Sequence, residues 1–153
     1  MDVIKMGMTA SLTGRYRLAG SQALVGAQAW IDEVNFSGGI YLKELGRPVS
    51  VHLVYYDDQS NRKKCGELTE RLIVQDRVEI LMGPYSSGLA LEAASVAESH
   101  RRILWNQGGA TELIYGHGYK WVVGLLTPTS LYFHGIIDMV LRNEPSTRRI
   151  AIV

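Results

Sequence analysis

The chain alternates short apolar runs with segments whose apolar residues recur at helical spacing. The runs predict five strands and the start of a sixth, over residues 3–8, 49–56, 78–82, 103–106, 121–126 and 149–153. Helical segments lie between them, around residues 23–34, 61–72, 89–100, 112–115 and 128–140. Strands that alternate with helices form βαβ units, which build a parallel sheet. We therefore predict an α/β fold, a parallel sheet flanked by helices in three layers.

Local signals predict where several helices begin and end. Two glycines at residues 38–39 are typical of a helix stop, and Asn61 or Ser60 is a candidate cap for the second helix. Thr127 is predicted to cap the last helix, with Pro128 at its first helical position.

The most informative loop is residues 83–88, Gly-Pro-Tyr-Ser-Ser-Gly, between the third strand and its helix. A helix start leaves backbone N–H groups without partners and carries partial positive charge. Ser86 or Ser87 can cap this start, and the remaining donors suit a carboxylate or a phosphate. Two interpretations stay open: a serine that only caps the helix, which the spacing alone favours, and an anion-binding loop.

Two further polar loops follow the first and fourth strands, at residues 9–14 and 107–111. Ligands of parallel sheets bind outside the carboxyl ends of the strands, where these loops lie. Thr111 could join the two serines around a small anionic group, and Gly109 would let the chain approach it closely. Tyr85 lies where an aromatic ring can wall a pocket. The three loops therefore predict a binding site.

No enzyme signature accompanies these loops. The first loop lacks the G-x-G-x-x-G of a dinucleotide site, and residues 14–21 lack the lysine of a P-loop. Residues 84–88 carry proline where a nucleophile elbow needs glycine. Because no nucleophile–base pair is present, the loops predict capture rather than turnover, with no catalytic residue and no cofactor.

Asp57 and Asp58 follow the second strand and could hold a metal or act as an acid–base pair. Neighbouring strand residues point to opposite faces, however, so a strand-end pair that turns the chain is favoured. The four histidines are scattered and none has helical i, i+4 spacing, so no metal site is predicted.

Cys65 is the only cysteine, so an internal disulfide cannot form. It aligns with Leu68 and Leu72 on the predicted second helix, which indicates a buried thiol. The tryptophans are also predicted to lie in the core: Trp30, Trp105 and Trp121.

Charge and hydropathy bear on partners and compartment. The net charge is +1, without a basic stripe, so neither nucleic acid nor an anionic membrane is an expected partner. No apolar run approaches the roughly 20 residues of a transmembrane helix. The first residues show no secretory leader, so either the protein is cytosolic or a leader is absent from this sequence.

Several segments, in order along the whole chain, resemble type I periplasmic binding proteins. They are most similar to the leucine/isoleucine/valine-binding family of ABC-transporter receptors. The matching segments are residues 10–14, 32–35, 38–40, 56–58, 83–87, 108–111 and 149–153. The resemblance implies two α/β lobes that are joined by a three-stranded hinge and close on a ligand between them.

The resemblance also implies roles for single residues. Ser87 and Thr111 match a serine and a threonine that bind the α-carboxylate or α-ammonium group of an amino acid. Gly109 matches a residue whose carbonyl accepts from the ammonium group, and Tyr85 and Leu12 match positions near the side-chain pocket. The predicted ligand-binding residues are Leu12, Tyr85, Ser86, Ser87, Gly109, Ala110 and Thr111.

In this interpretation, residues 1–126 form an N-terminal ligand-binding lobe that is incomplete because its returning strand is missing. Residues 127–153 form the crossover and the start of a second lobe. A final apolar strand without a closing helix points to the same truncation. The unfinished sheet would expose apolar surface, so the fragment is expected to self-associate or to be marginally stable.

The leading hypothesis is a periplasmic or otherwise extracytoplasmic receptor that captures a small amino acid of the branched-chain type, or an amide. It would hand this solute to an ABC permease in the membrane. The alternative is a ligand-sensing regulatory module of the same fold, for an amide or urea. A third hypothesis is an α/β enzyme with an unrecognised site.

Overall fold

The computed structural model describes residues 3–149 and 151. The strands in this part are β1 (Val3–Ala10), β2 (Ile40–Leu42), β3 (Arg47–Asp57), β4 (Ile80–Met82), β5 (Ile103–Asn106) and β6 (Val122–Gly124). They form one sheet in the order β2–β3–β1–β4–β5–β6. Neighbours pair in parallel, except that β2 and β3 form an antiparallel hairpin. The predicted α/β fold is confirmed, and β2 is a strand that the sequence pattern did not indicate.

The helices of the described part are α1 (Arg17–Phe36), α2 (Arg62–Val74), α3 (Ser87–Ser99), α4 (Glu112–Gly116) and α5 (His134–Asn143). A 3₁₀ turn, Thr129–Leu131, precedes α5. Helices α1 to α4 alternate with the strands as predicted. The predicted final strand, residues 149–153, falls largely outside the described residues.

Two of the predicted helix boundaries are confirmed. Asn61 caps α2, because its side-chain oxygen accepts the N–H of Lys64 at 3.0 Å. Helix α1 ends at Phe36, and Gly38 and Gly39 follow with φ of 99° and 95°. These left-handed conformations favour glycine, which explains the stop.

The predicted start of the last helix at Thr127 and Pro128 is wrong. Pro128 has extended backbone and precedes the 3₁₀ turn, and α5 begins only at His134. The 3₁₀ turn forms before α5, and Glu112 of α4 accepts the N–H of Ser130 within this turn.

The core lies on both faces of the sheet. Helices α2 and α3 cover one, which we call the packed face, and its buried residues include Cys65, Leu72, Leu81, Ala90, Ala94 and Leu104. Helix α1 covers the other, which we call the open face, with Leu24, Ala27 and Ile31 near Met6 and Met8. This helix packs on β1 and β3, so the part of the open face over β4 to β6 is only partly covered.

Cys65 is confirmed as a buried thiol, and burial raises its pKa to about 12. The prediction that Trp30 lies in the core is wrong, since it is 41% exposed on α1. It borders the uncovered part of the open face, where no other helix of the described part shields it. Trp105 and Trp121 are half-buried.

Candidate functional site

Ser86 caps α3 and leaves Ser87 for another partner. The hydroxyl of Ser86 accepts the N–H of Leu89 at 3.3 Å. Its φ of 84° lies in a region that residues other than glycine seldom adopt. Ser87 is the first residue of α3. Of the two serines that the sequence offered as the cap, Ser86 is therefore the one that caps α3.

The hydroxyl of Ser87 joins two of the polar loops. It accepts the N–H of Ala110 at 3.3 Å. Beside this bond, the N–H of Ser86 donates to the carbonyl of Gly108 at 3.1 Å. Because β4 and β5 are parallel neighbours, both loops leave the same edge of the sheet. The predicted site residues of these loops, Thr111 included, are thus brought together.

Gly108 allows the two loops to touch. A Cβ at this position would lie 2.7 Å from the Cα of Tyr85 and closer still to the carbonyl oxygen of Pro84. Backbone atoms of a loop held by hydrogen bonds cannot give way cheaply, so any side chain here would separate the loops. The sequence pattern indicated Gly109 but not Gly108, although the adjacent glycines were the available signal.

Gly109 was predicted to let the chain approach a ligand closely, but the structure shows a packing reason for a glycine here. A Cβ there would lie 2.6 Å from the Cβ of Ala90 and 2.8 Å from the Cδ1 of Ile114. The space beside Gly109 is therefore filled by core side chains rather than left open to a ligand. Glycine at this position lets α3 and α4 pack against the loop.

Asn106, at the end of β5, holds the loop that carries Gly109. Its Oδ1 accepts the N–H of Gly109 at 2.9 Å, and its Nδ2 donates to the carbonyl of Gly109 at 2.7 Å. Nδ2 also lies 3.0 Å from the hydroxyl of Tyr115. Asn106 was not among the predicted site residues, although an amide at the end of an apolar strand was the available signal.

Thr111 has a structural partner of its own. Its hydroxyl accepts the N–H of Leu113 at 3.4 Å and so caps α4. The carbonyl of Ala110 accepts the N–H of Thr129 at 2.9 Å. A hydroxyl can donate one proton while it accepts, so the proton of Thr111 is the group that a ligand could use.

Tyr85 lies beside the two joined loops and is 41% exposed. Its ring meets the ring of Tyr16 edge-on, with centroids 5.9 Å apart. The guanidinium of Arg15 lies 5.5 Å from the centroid of the Tyr16 ring. The two rings form an aromatic pair beside the joined loops. That Tyr85 walls a solute pocket stays a prediction.

Asp57 organises the loop after β1. Its carboxylate accepts the N–H of Leu12 at 2.9 Å and the hydroxyl of Thr13 at 2.7 Å. Burial acts to raise the pKa of Asp57, but the Thr13 hydroxyl and nearby N–H groups outweigh it, and the pKa is lowered. Leu12 is half-buried against the cluster of Met8, Ala10, Leu24 and Ala27. Among the described contacts, none links Leu12 directly to the serine loop.

Asp58 is buried and turns the chain toward α2. Its Oδ1 accepts the hydroxyl of Ser11 at 2.6 Å and the N–H of Ser60 at 2.8 Å, while Oδ2 has no partner. Burial raises the pKa of Asp58. The two aspartates serve separate turns, which confirms the strand-end interpretation. The described residues hold no cluster of three His, Cys, Asp or Glu side chains suited to a metal.

An apolar cavity lies on the open face and adjoins the loop after β5 through Gln107. It is a groove of about 380 Å³ between α1 and the sheet, lined mainly by Met6, Ala27, Trp30, Met82 and Trp105. A solute site needs convergent polar groups that fix orientation. The joined loops have several such groups, whereas the groove is mainly apolar and Gln107 is the one amide side chain in its lining, so the loops are the candidate site.

Known proteins share this architecture. The Leu/Ile/Val-binding protein BraC3 of Rhizobium johnstonii is 34% identical over 93 residues, which is 61% of this chain and 23% of BraC3. LivJ of Streptococcus pneumoniae, a branched-chain amino acid transporter substrate binding protein solved with isoleucine, superposes with a TM-score of 0.78. It is 24% identical, and the match covers 91% of this chain and 38% of LivJ.

A solute binding protein of an ABC transporter from Rhodopseudomonas palustris, solved with 3,4-dihydroxybenzoic acid, has a similar fold. Its TM-score is 0.76 at 20% identity, with 94% of this chain and 37% of that protein covered. This chain thus spans less than two fifths of the length of the relatives that it matches.

None of the helices in the described residues has the length and hydropathy that a bilayer crossing requires. The family model described as periplasmic binding protein matches residues 3–153, nearly the entire chain. The chain therefore belongs to the periplasmic binding protein family, a family of binding proteins rather than of enzymes.

Proposed function

We propose that the full-length protein is a solute-binding receptor of an ABC transporter and that this chain contributes one face of its binding cleft. The observation that supports this most is the bond from the N–H of Ala110 to the hydroxyl of Ser87. It places the donors of two loops at one edge of the sheet, where parallel sheets bind their ligands.

The joined loops offer donors suited to a carboxylate. At the start of α3, Ser86 takes the N–H groups of Leu89 and Ala90. The N–H groups of Ser87 and Gly88 have no acceptor among the described residues and remain for solvent or a solute. Together with the proton of Thr111, they form a small anion site at a helix start.

An amino acid of the branched-chain type, or a related amide, is the proposed solute. The name of BraC3 and the isoleucine in LivJ support this class. The carbonyl of Gly109 would face the ammonium group, because Asn106 occupies only one of its two lone pairs. Tyr85 and Leu12 would contact the side chain, and Ser86 and Ala110 would hold the loops in place.

A second solute class is an aromatic carboxylate. It is favoured by the exposed ring of Tyr85 beside the proposed anion site, backed by Tyr16. A solute ring could pack against this pair by offset or edge-on contact. The dihydroxybenzoate in the Rhodopseudomonas palustris protein is of this class.

The proposed receptor works outside the cytoplasm and delivers its solute to an ABC permease. In this proposal residues 1–126 belong to the first lobe, and residues 127–153 cross to the second. The second lobe would close over the joined loops and supply the remaining contacts to the solute.

A thermal-shift screen of the full-length protein tests the proposal. The panel contains leucine, isoleucine, valine, small amides, urea and hydroxybenzoates. A rise in Tm with branched-chain amino acids is expected, because a ligand that binds only the folded state stabilises it. Stabilisation by urea alone would favour a sensing module, and no response to any compound would contradict the receptor.

Thr111→Ala is expected to weaken solute binding by at least about tenfold, since it removes a hydrogen bond to a charged group. Asn61→Ala is the matched control, because it also removes a helix cap but lies at the start of α2. Calorimetry on both variants measures the difference. Equal affinity in the two variants would remove Thr111 from the site.

A further inference from the structure

Glu112 connects the candidate site to the crossing segment, which we define as residues 127–131. Its Oε1 accepts the N–H of Ser130 at 2.6 Å, and its Oε2 lies 3.3 Å from the hydroxyl of Thr129. Beside these contacts, the N–H of Thr129 donates to the carbonyl of Ala110. The site loop is thus bonded to two successive residues of the crossing segment.

Glu112 replaces a local helix cap. Pro128 precedes the turn Thr129–Leu131, and its side chain has no group that accepts a hydrogen bond. The N–H groups at the start of such a turn need acceptors, and the carboxylate of Glu112 supplies one. The hydrogen bonds from Ser130 are the main reason that the pKa of Glu112 falls to about 2, so the acceptor stays ionised at neutral pH.

Few other contacts hold the chain beyond Pro128. The side chains of α5 are largely exposed, including Ile136 and Met139. Within the described residues, the hydrogen bonds that join residues 129–149 to residues 3–126 all start from Thr129 or Ser130. The orientation of the following chain therefore depends on this pair of bonded residues.

We propose that Glu112 is a positioning residue that fixes the crossing segment to the site loop at Ala110 and Thr111. A shift of the loop on solute binding is then passed to the chain that follows. This consequence rests on the proposed function, because a two-lobed receptor must couple its solute to the orientation of its lobes. Glu112 acts through Ser130 and Thr129 and does not contact the solute.

Amide hydrogen exchange, followed by NMR on this chain, measures how well the bond to Glu112 protects the N–H of Ser130. Glu112→Ala should raise the exchange rate of the Ser130 N–H at least about tenfold, while amides of β1 keep their rates. Glu112→Gln keeps a neutral acceptor oxygen, so it should raise the rate less. An unchanged rate at Ser130 in Glu112→Ala would overturn the proposal.

Glu98 provides the matched control. Its Oε2 accepts the N–H groups of Lys120 and Trp121 at 2.9 and 3.0 Å, just before β6. Like Glu112, Glu98 accepts backbone N–H groups of a connecting segment, but this segment precedes β6 rather than follows it. Glu98→Ala should raise the exchange rates of Lys120 and Trp121 and leave Ser130 unchanged. If both variants raise all these rates alike, Glu112 has only a general effect on stability and the proposal fails.

Solute affinity of the full-length protein separates this connection from the proposed function. Glu112→Ala is expected to weaken solute binding about fivefold or more, whereas Glu98→Ala leaves it unchanged. Equal affinity in wild type and Glu112→Ala would overturn the coupling. A wild-type protein that binds no solute would contradict the receptor instead, and the exchange rate of Ser130 would still decide the role of Glu112.

Discussion

The two faces of the sheet are built from neighbouring residues of the same strands but are covered differently. On the packed face, Leu81 and Leu104 are each 1% exposed beneath α2 and α3. On the open face, Ile103 is 39% exposed and Val123 is 46% exposed. Helix α1 is the one helix of the described part on that side, and it lies over β1 and β3. Strands β4 to β6 are therefore fully covered by helices on the packed face only.

The difference comes from the helices rather than from the strands. Helix α3 presents buried small residues at helical spacing, Ala90, Ala93, Ala94 and Ala97. Their small side chains let the helix approach closely, so the large side chains of the sheet are fully covered. Helix α1 instead borders a groove of about 380 Å³. Apolar spacing thus shows which side of a helix faces the sheet, but not how much of the sheet that helix covers.

Leu81 and Met82 are adjacent in β4 and point to opposite faces, so they test the comparison most strongly. Leu81→Ala leaves a cavity in the packed face and should lower the free energy of unfolding by about 3 kcal/mol. Met82→Ala affects a half-buried side chain beside the groove and should cost about 1 kcal/mol. Urea denaturation measures both values.

Leu81→Met controls for the loss of the leucine itself. It keeps the volume of the side chain, so it should cost less than about 1.5 kcal/mol. If Leu81→Ala and Met82→Ala cost the same, the two faces contribute equally and the comparison is wrong.

Val123 tests whether the open face drives association. We expect this chain to self-associate through its exposed apolar strands, because an apolar surface of this kind is covered in stable proteins. Val123→Lys should weaken self-association at least about tenfold. In the associated state the lysine would be desolvated or would be repelled by the same lysine of the second chain. Sedimentation at several concentrations measures the effect.

Val74→Lys is the control for this substitution. Val74 is also exposed, but it lies on α2, away from the open face. It should leave association unchanged. A wild-type chain that stays monomeric at all concentrations would contradict the expectation.

The order of the elements could be predicted because each depends on residues close in sequence. The alternation of apolar runs and helical spacing predicted the parallel sheet, and Asn61 was a local cap signal. Trp30 was misplaced because its exposure depends on how far α1 extends across the sheet. No spacing within the helix carries that information.

The candidate site could be predicted only in part, for the same reason. Ser87 and Thr111 were found from the ends of strands and from the resemblance. Gly108 was missed because its role depends on contact with the serine loop, which lies over 20 residues away in sequence. Asn106 was missed although its partners, Gly109 and Tyr115, lie within ten residues of it, because spacing does not show where its amide points. Glu112 has a role that appears only once the crossing segment folds back onto α4.

The pH dependence of stability at Asp57 and Asp58 extends the comparison. It is the smallest of the expected effects on stability. Asp58 is buried near Cys65, on the packed face, and burial raises its pKa above the usual 3.8. The folded state then holds this proton more tightly than the unfolded state, so Asp58 costs stability as the pH rises from 3.8 to its folded pKa. The pKa of Asp57 is lowered, so its contribution is present above 3.8 and is lost as the pH falls below that value.

Asp58→Asn and Asp57→Asn should therefore have opposite pH dependences. Relative to wild type, Asp58→Asn should become less destabilising from about pH 2 to about pH 7, and Asp57→Asn more destabilising. The Asn amide at position 58 adds an unpartnered donor in place of Oδ2, but this cost does not change with pH. Urea denaturation across the range measures the two slopes. Slopes of the same sign would contradict this difference, in which burial dominates for Asp58 and hydrogen bonds from Thr13 and nearby N–H groups dominate for Asp57.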